Sequence, residues 1–248
     1  MRPFHAAFWI VLAAVALLIP STSAAISYSD VAGTTVGFNG INDDDVVGLW
    51  GQPVAAGDSL VFSPTSYLAE CPGVDCPSSA VQVDSTLEFT IVANPGESLG
   101  IILFEESGTA SVLLNGGSAQ VGVAALITAI NITALDGTTV SNIQALGPNL
   151  VFAPDDTFST AGVVGFSGSA SIDLDAIIAA AFPLETRSAT TVTITLNNPL
   201  TAFAFGDASG LIQKDEFRVI VVPEPGTALL FGLGLMSLAI RRSSQGRS

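Results

Sequence analysis

Ser85-Thr86-Leu87-Glu88-Phe89-Thr90-Ile91-Val92-Ala93 alternates apolar and polar side chains with a period of two. Leu87, Phe89, Ile91 and Ala93 fall on one face, and Thr86, Glu88 and Thr90 on the other. Successive side chains of an extended chain point to opposite sides, so this stretch reads as a strand with one face in a core. Residues 191–196 repeat the pattern, with Val192, Ile194 and Leu196 opposing three threonines. β-Branched residues suit such a pleated, half-buried surface. Working outward, strands are expected at residues 35–38, 60–62, 100–104, 111–114, 120–132, 163–171, 201–205 and 216–222. Asn94-Pro95-Gly96, Asn115-Gly116-Gly117, Asp136-Gly137 and Asn197-Asn198-Pro199 supply turns between them. One helix is predicted over residues 173–182, with Asp175 near its N-terminus and Pro183 stopping it. The pattern predicts an all-β ectodomain, an antiparallel β-sandwich or jelly roll with one short helix.

Both ends of the chain differ from this body. Residues 1–24 read as a secretory signal peptide. Arg2 and His5 form a positive n-region, residues 6–19 an apolar h-region, and Ser21-Thr22-Ser23-Ala24 a patch of small residues for cleavage. Ala25 is then the expected mature N-terminus. Residues 25–221 are the ectodomain, long enough for one substantial core.

Residues 222–248 read Val-Pro-Glu-Pro-Gly-Thr, an apolar run to Ile240, then Arg241-Arg242 and a polar tail. Neither Pro223 nor Pro225 has an N–H to continue a sheet. The uncharged run 227–240 makes a helix of roughly 21 Å, short for a hydrocarbon core of ~30 Å, a gap that flanking apolar residues, bilayer thinning or a snorkelling arginine close. Arg241 and Arg242 are the expected membrane stop on the cytoplasmic side.

The order of these parts resembles the PEP-CTERM sorting signal: Val222-Pro223-Glu224-Pro225-Gly226, the Gly-Leu-Gly-Leu of residues 232–235, and Arg241-Arg242. The resemblance covers about the last 27 residues. It implies a single membrane helix, handling by an exosortase-type membrane protease at Pro223, Glu224 and Pro225, and a bacterium that exports polysaccharide. The body is similar to ectodomains that precede such signals. Leu60-Val61-Phe62-Ser63-Pro64, Leu103-Phe104-Glu105-Glu106-Ser107-Gly108, Asn197-Asn198-Pro199-Leu200-Thr201 and Ile212-Gln213-Lys214-Asp215-Glu216-Phe217 carry that likeness. The group is defined by recurrence and brings no activity with it.

Charge narrows the function classes. Residues 25–221 hold twenty-one acids against Arg187, Lys214 and Arg218, a balance of about −18. Such a field repels phosphate backbones, so nucleic acid is not an expected partner. The chain's only histidine is His5, within the predicted signal peptide. A mature body without histidine has no Ser-His-Asp or Cys-His arrangement and no histidine-containing metal site. It carries neither a phosphate-binding loop of the Walker kind nor a dinucleotide glycine fingerprint.

Carboxylates remain. Glycosidases need only two positioned acids, and Glu105-Glu106, Asp155-Asp156 and Asp173 with Asp175 are candidate pairs. Adjacent strand residues face opposite ways, which arranges Glu105-Glu106 poorly for joint catalysis. Calcium is a second use: Asn42, Asp43, Asp44 and Asp45 put four oxygen-bearing side chains into one turn between Gly40 and Gly48, against the reading of a solvated acidic turn. Cys71 and Cys76 flank Pro-Gly-Val-Asp. In an oxidising compartment they are expected to pair as a structural staple, since redox pairs use the C-x-x-C spacing. Trp50 is expected in the core or at its rim rather than as a sugar-stacking platform, and Phe203 with Phe205, on one strand face, to pack in the core.

The sequence therefore predicts an exported, non-enzymatic protein of the bacterial cell envelope, surface or extracellular matrix, with no required cofactor. Two alternatives stand beside it. One is a calcium-assisted module binding surface polysaccharide; the other is a carboxylate-only glycosidase.

Overall fold

The computed structural model describes residues 25–76 and 80–223. The predicted signal peptide, Glu224, Pro225, the apolar run and Arg241-Arg242 lie outside the described residues. In chain order the strands are β1 (Ile26–Ser27), β2 (Val31–Ala32), β3 (Val36–Asp43), β4 (Val54–Ala56), β5 (Ser59–Phe62), β6 (Leu68–Cys71), β7 (Ala80–Val83), β8 (Thr86–Ala93) and β9 (Leu99–Leu113). There follow β10 (Ser118–Val123), β11 (Leu126–Leu135), β12 (Thr138–Ala145), β13 (Val151–Ala153), β14 (Thr157–Phe158) and β15 (Gly162–Asp173). Helix α1 (Leu174–Ala181) then leads to β16 (Ala189–Asn197), β17 (Leu200–Phe205) and β18 (Ser209–Pro223).

Every strand pair is antiparallel, as the alternating pattern and short turns require, and the sheets form a half-barrel. The large sheet has two wings. In one, β3 carries β1 and β2 and continues through β8, β16, β11 and β12; in the other, β13, β15, β9 and β18 lead to β5, β4 and β6. A single pair, Ala189 with Leu99, joins them. The smaller sheet runs β14-β10-β17-β7. One core serves the whole, and its fully buried large side chains include Phe38, Trp50, Phe62, Tyr67, Phe89, Phe104 and Phe217.

Strand β8 takes the predicted faces. Leu87, Phe89 and Ile91 are buried and Glu88 is exposed. Thr86 and Thr90 are half-buried, because β16 lies alongside and the Thr90 hydroxyl meets that of Thr193 at 2.8 Å. The helix forms where expected, with the Asp173 carboxylate capping it by accepting from Ala176 N at 2.9 Å.

Several expectations are corrected, among them the 216–222 strand, which is the end of the 15-residue β18. Residues 100–104 and 111–114 are the two ends of one 15-residue strand, β9. Its middle alternates too, but the inward positions there are Glu106, Gly108 and Ala110, so hydropathy does not reveal the continuity. Residues 120–132 divide into β10 and β11, which belong to different sheets. Strand β12 corresponds to no predicted strand: only Ile143 among its residues is buried, so it has no apolar stripe.

Glycine permits close approaches between strands. A Cβ on Gly108 would stand 2.2 Å from the Gln213 carbonyl and 2.3 Å from the Phe166 ring. One on Gly168 would stand 2.4 Å from the Phe152 ring.

Phe89→Ala should cost about 3–5 kcal/mol, the usual range for emptying a buried aromatic site, while Glu88→Ala on the opposite face should change stability by less than about 0.5 kcal/mol. Urea unfolding of the two variants checks the face assignment.

Candidate functional site

Strand β18 connects the two places where function concentrates. Its far end is the sorting junction. Val222 pairs with Ile101 and Pro223 with Leu99, and Val221 N donates to the Asp58 carbonyl at 2.9 Å. Pro223 is therefore the last residue of a strand in the interior of the large sheet. The α1–β16 connection lies at this same end, because Leu99 pairs with Ala189 as well. That connection leaves Phe182 and Leu184 exposed, Leu184 by 96%. Beside them the Arg187 guanidinium holds the Glu185 carboxyl down at about 2.

The middle of β18 enters a buried polar cluster. Among the described residues, Asp43, Ser85, Glu106, Asn198 and Lys214 are the buried polar and charged ones, and all five meet around Trp50. Trp50 Nε1 donates to Ser85 Oγ at 3.0 Å, and Ser85 in turn donates to Asp43. On the other side of the indole, Lys214 Nζ lies 5.8 Å from the Trp50 ring centre and 4.9 Å from that of Tyr67. Nζ donates to Glu106 Oε1 and to Asn198 Oδ1. The second Glu106 oxygen accepts from Asn198 Nδ2 at 2.6 Å, and the Tyr67 hydroxyl donates to the Asn198 carbonyl.

Local backbone features place these groups. A bulge between Lys214 and Glu216 puts Lys214 on the inner face together with Phe217. Glu106 sits at an inward position of β9, and Asn198 is held in the β16–β17 turn by its N–H on the Ser85 carbonyl. Burial pulls the Lys214 ammonium down to about 8, opposed by the Glu106 charge. Burial, and then the Glu106 charge, push the Tyr67 phenol well above its usual range.

The predicted site residues take varied positions. Cys71 and Cys76 are disulfide-bonded, with Cα atoms 4.8 Å apart. Trp50 is core, as expected. Phe203 and Phe205 share a face, but the expectation that they pack in the core is overturned: they are 39% and 58% exposed. The inward positions of β17 are Leu200, Ala202 and Ala204. The small sheet approaches β18 so closely there that a Cβ on Gly210 would stand 2.8 Å from Val121. Alanines fit that gap and phenylalanines do not. The two rings instead border a surface hollow of about 500 Å³ with Ser118, Gln120 and Ser159.

The acidic turn is engaged with its own neighbourhood. Asn42 accepts from the Ser27 hydroxyl at 2.6 Å; buried Asp43 accepts from Tyr28, Ser85 and Asp45 N. Asp44 accepts from Thr86 N at 2.6 Å and Asp45 from Val47 N at 2.7 Å. Among the described residues, no three His, Cys, Asp or Glu side chains are gathered as for a metal ion. Of the carboxylate pairs, Glu105 and Glu106 face opposite ways, one exposed and one buried. Asp155 caps its own neighbour's N–H, and Asp173 caps α1. Glu105 and Glu216 do share a shallow outer groove of about 310 Å³ floored by Ser167 and Ser169. Sequence reading missed the Lys214–Glu106–Asn198 cluster. The available signal was parity: 102, 104 and 106 alternate inward on β9, as do 210, 212 and 214 on β18.

Residues 221–243 match the PEP-CTERM protein-sorting motif, so the chain carries this signal behind a β-rich ectodomain. The motif implies an exosortase-sorted surface protein. The matched segment begins inside β18. No curated protein matches the sequence. Among solved structures, the chain is similar to the CBM22-1 xylan-binding domain of Paenibacillus barcinonensis Xyn10C, at 12% identity over 67% of this chain and 96% of that one, TM-score 0.22. It is also similar to the xylan-binding module CBM15, at 14% identity over 68% and 95%, TM-score 0.23. Infectious bursal disease virus Gx strain matches at 8% identity over 71% and 45%, TM-score 0.24. Scores of this size do not define a shared fold. Among the described residues no helix is long and apolar enough to cross a membrane.

The Tyr67 shift has a sign. The folded protein keeps a phenolic proton that the unfolded chain releases above the ordinary value of 10.0. This contribution is complete below that pH and is lost as pH rises above it. Tyr67→Phe should flatten the alkaline decline, and at neutral pH it should cost about 1–3 kcal/mol by leaving the buried Asn198 carbonyl without its donor. Calorimetric melting of both proteins from neutral to alkaline pH measures both effects.

Proposed function

We propose that the chain is an exported, non-enzymatic β-sandwich protein of the bacterial envelope or extracellular matrix. Residues 1–24 direct its export, residues 227–240 hold it in the membrane, and an exosortase-type protease processes it near Pro223-Glu224-Pro225. The observation that supports this most is the position of Pro223 at the end of β18. Only residues 224–226 separate the sheet from the uncharged run. Fully extended, three residues span about 10 Å, so this reading sets the sheet's end directly against the bilayer. The exposed Phe182 and Leu184 are at that same end, suited to the lipid interface. Pro223 ends the sheet in extended backbone, and a proline at 223 and at 225 disfavours helix in the residue before each.

Glu224→Ala should leave membrane association intact and slow processing, since one side chain of the motif changes and the anchor does not. Changing Arg241 and Arg242 to Ser should instead weaken retention during export. Pulse-chase analysis of precursor and mature forms in the native host separates the two effects. A mature protein that keeps its C-terminus through Ser248 overturns the reading.

A second reading, polysaccharide binding, is favoured by the exposed Phe203 and Phe205. Two rings on one strand face offer apolar surface to the C–H faces of sugar rings, with Gln120 and the serines beside them for hydroxyl groups. Exposed aromatic pairs of this kind otherwise serve as protein contacts. A glycan array, run with and without calcium, identifies the ligand. Replacing both phenylalanines with Ala should then weaken binding by about tenfold or more, a change of ~1.4 kcal/mol or above.

A further inference from the structure

Lys214, Glu106 and Asn198 come from β18, β9 and the β16–β17 turn, and each is 3% exposed or less. One carboxylate bridges an amine and a carboxamide: Oε1 accepts from Lys214 Nζ, and Oε2 accepts from Asn198 Nδ2 at 2.6 Å. Nζ also touches Oδ1 of that carboxamide. A nucleophilic nitrogen, an electrophilic carbonyl carbon one bond from a contacted atom, and a proton carrier reaching both nitrogens are thus enclosed together. From this geometry we infer that the protein crosslinks itself, Lys214 Nζ displacing ammonia from Asn198 Cγ to form an isopeptide bond, with Glu106 as the catalytic proton carrier.

The atoms balance without any further reactant. A proton first passes from the Nζ ammonium to Glu106 Oε1, leaving a neutral amine beside a neutral acid. The Nζ electron pair then attacks Cγ, and the carbonyl π electrons move onto Oδ1. Nζ gives up a second proton to the carboxyl group while the acid proton is delivered to Nδ2 through Oε2. The carbonyl re-forms, the Cγ–Nδ2 bond breaks, and ammonia leaves with that electron pair. Lys214 and Asn198 end joined by a neutral amide, and Glu106 ends protonated. Nothing is oxidised or reduced.

An amide resists amines in water because the amine is protonated, the encounter is bimolecular and the leaving nitrogen needs a proton. The cluster meets each obstacle. Burial favours the neutral amine. Packing holds the reacting groups in contact and so removes the cost of encounter. Glu106 supplies the proton to the leaving group. Exclusion of water by Trp50, Tyr67, Phe104 and Phe217 protects the site from competing hydrolysis. The product also relieves a strain that the reactants carry, because an ion pair held in the core becomes two neutral groups.

Mass spectrometry of the full chain tests the bond. The wild-type protein should be lighter than its disulfide-bonded sequence by one ammonia. After denaturation, trypsin should fail to cut behind Lys214, giving residues 188–218 as one peptide with no backbone fragments from within the loop closed by 198 and 214. This peptide is the same whether or not the C-terminal signal has been processed. Glu106→Gln should restore the full mass and the cut behind Lys214, and Lys214→Arg should restore the full mass. A wild-type protein of full mass that is cut normally behind Lys214 overturns the inference and leaves a buried ion pair. Loss of ammonia with normal cutting overturns it as well, since that is a succinimide at an asparagine. The wild-type measurement decides the question even if a variant fails to fold.

Discussion

A lysine ammonium in an apolar interior needs partners, and much of the architecture around β18 supplies them for Lys214. Its side chain has no exposed surface, and neither has that of Glu106. Removing an ion from water costs about several kcal/mol even after relaxation, and removing one member of a buried pair commonly costs about 3–5 kcal/mol. The cluster answers with a complete set of partners. Nζ has two oxygens and two ring faces, Glu106 has a donor on each oxygen, and Asn198 is bound at its side-chain oxygen, side-chain nitrogen, N–H and carbonyl. The β18 bulge, the glycine at 108 and the tight β16–β17 turn are local features that make this set possible. One of only three basic residues in a strongly acidic body is spent in its centre, where it does nothing for solubility or surface charge.

In the proposed attachment the same strand carries the load. β18 is flanked by β9 along nearly its whole length and by β6 and β5 in succession on its other edge. Its last residue is where the sorting motif leaves the sheet. Any pull on an anchored or linked C-terminus enters at Pro223 and runs along β18 toward Lys214. Strand hydrogen bonds loaded along their length share that force, and the polar cluster fastens the strand to β9 and to the β16–β17 turn behind the loaded segment.

Much of this fold was legible in the sequence wherever hydropathy and strand parity agreed. Residues 85–93 and 191–196 display their buried faces openly, Asp173 and Pro183 bracket the helix, and the spacing of Cys71 and Cys76 announces their bond. Legibility failed where an inward position was not apolar. Glu106, Gly108 and Ala110 interrupt the apolar stripe in the middle of β9, and Lys214 interrupts that of β18, so neither strand shows a continuous apolar alternation. It failed again at β17, where apolarity and burial part company: alanines face inward because the sheets approach closely, and phenylalanines face out. The acidic turn at residues 42–45 illustrates a third case. The oxygen-rich composition was plain, but composition does not reveal that Asp43 turns inward to Ser85 and Tyr28 while its neighbours satisfy backbone N–H groups.

Two covalent constraints on this body would differ greatly in reach. The Cys71–Cys76 disulfide closes a loop of only four intervening residues, which on chain-entropy grounds contributes roughly 2 kcal/mol. Its effect is local. It fixes the turn that brings Gly73 against the Ala208 carbonyl, where a Cβ would stand 2.5 Å away, at the point where β6 meets the start of β18 through the Cys71–Gly210 pair. The Lys214–Asn198 contact instead spans two sheets, because β18 lies in the large sheet while Asn198 leads into β17 of the small one. The inward side of the small sheet mixes alanines (Ala119, Ala202, Ala204) with the buried Val121, Val123 and Leu200. Apolar packing holds the inner face of the small sheet, and the polar cluster at its edge adds directional bonds to β9 and β18.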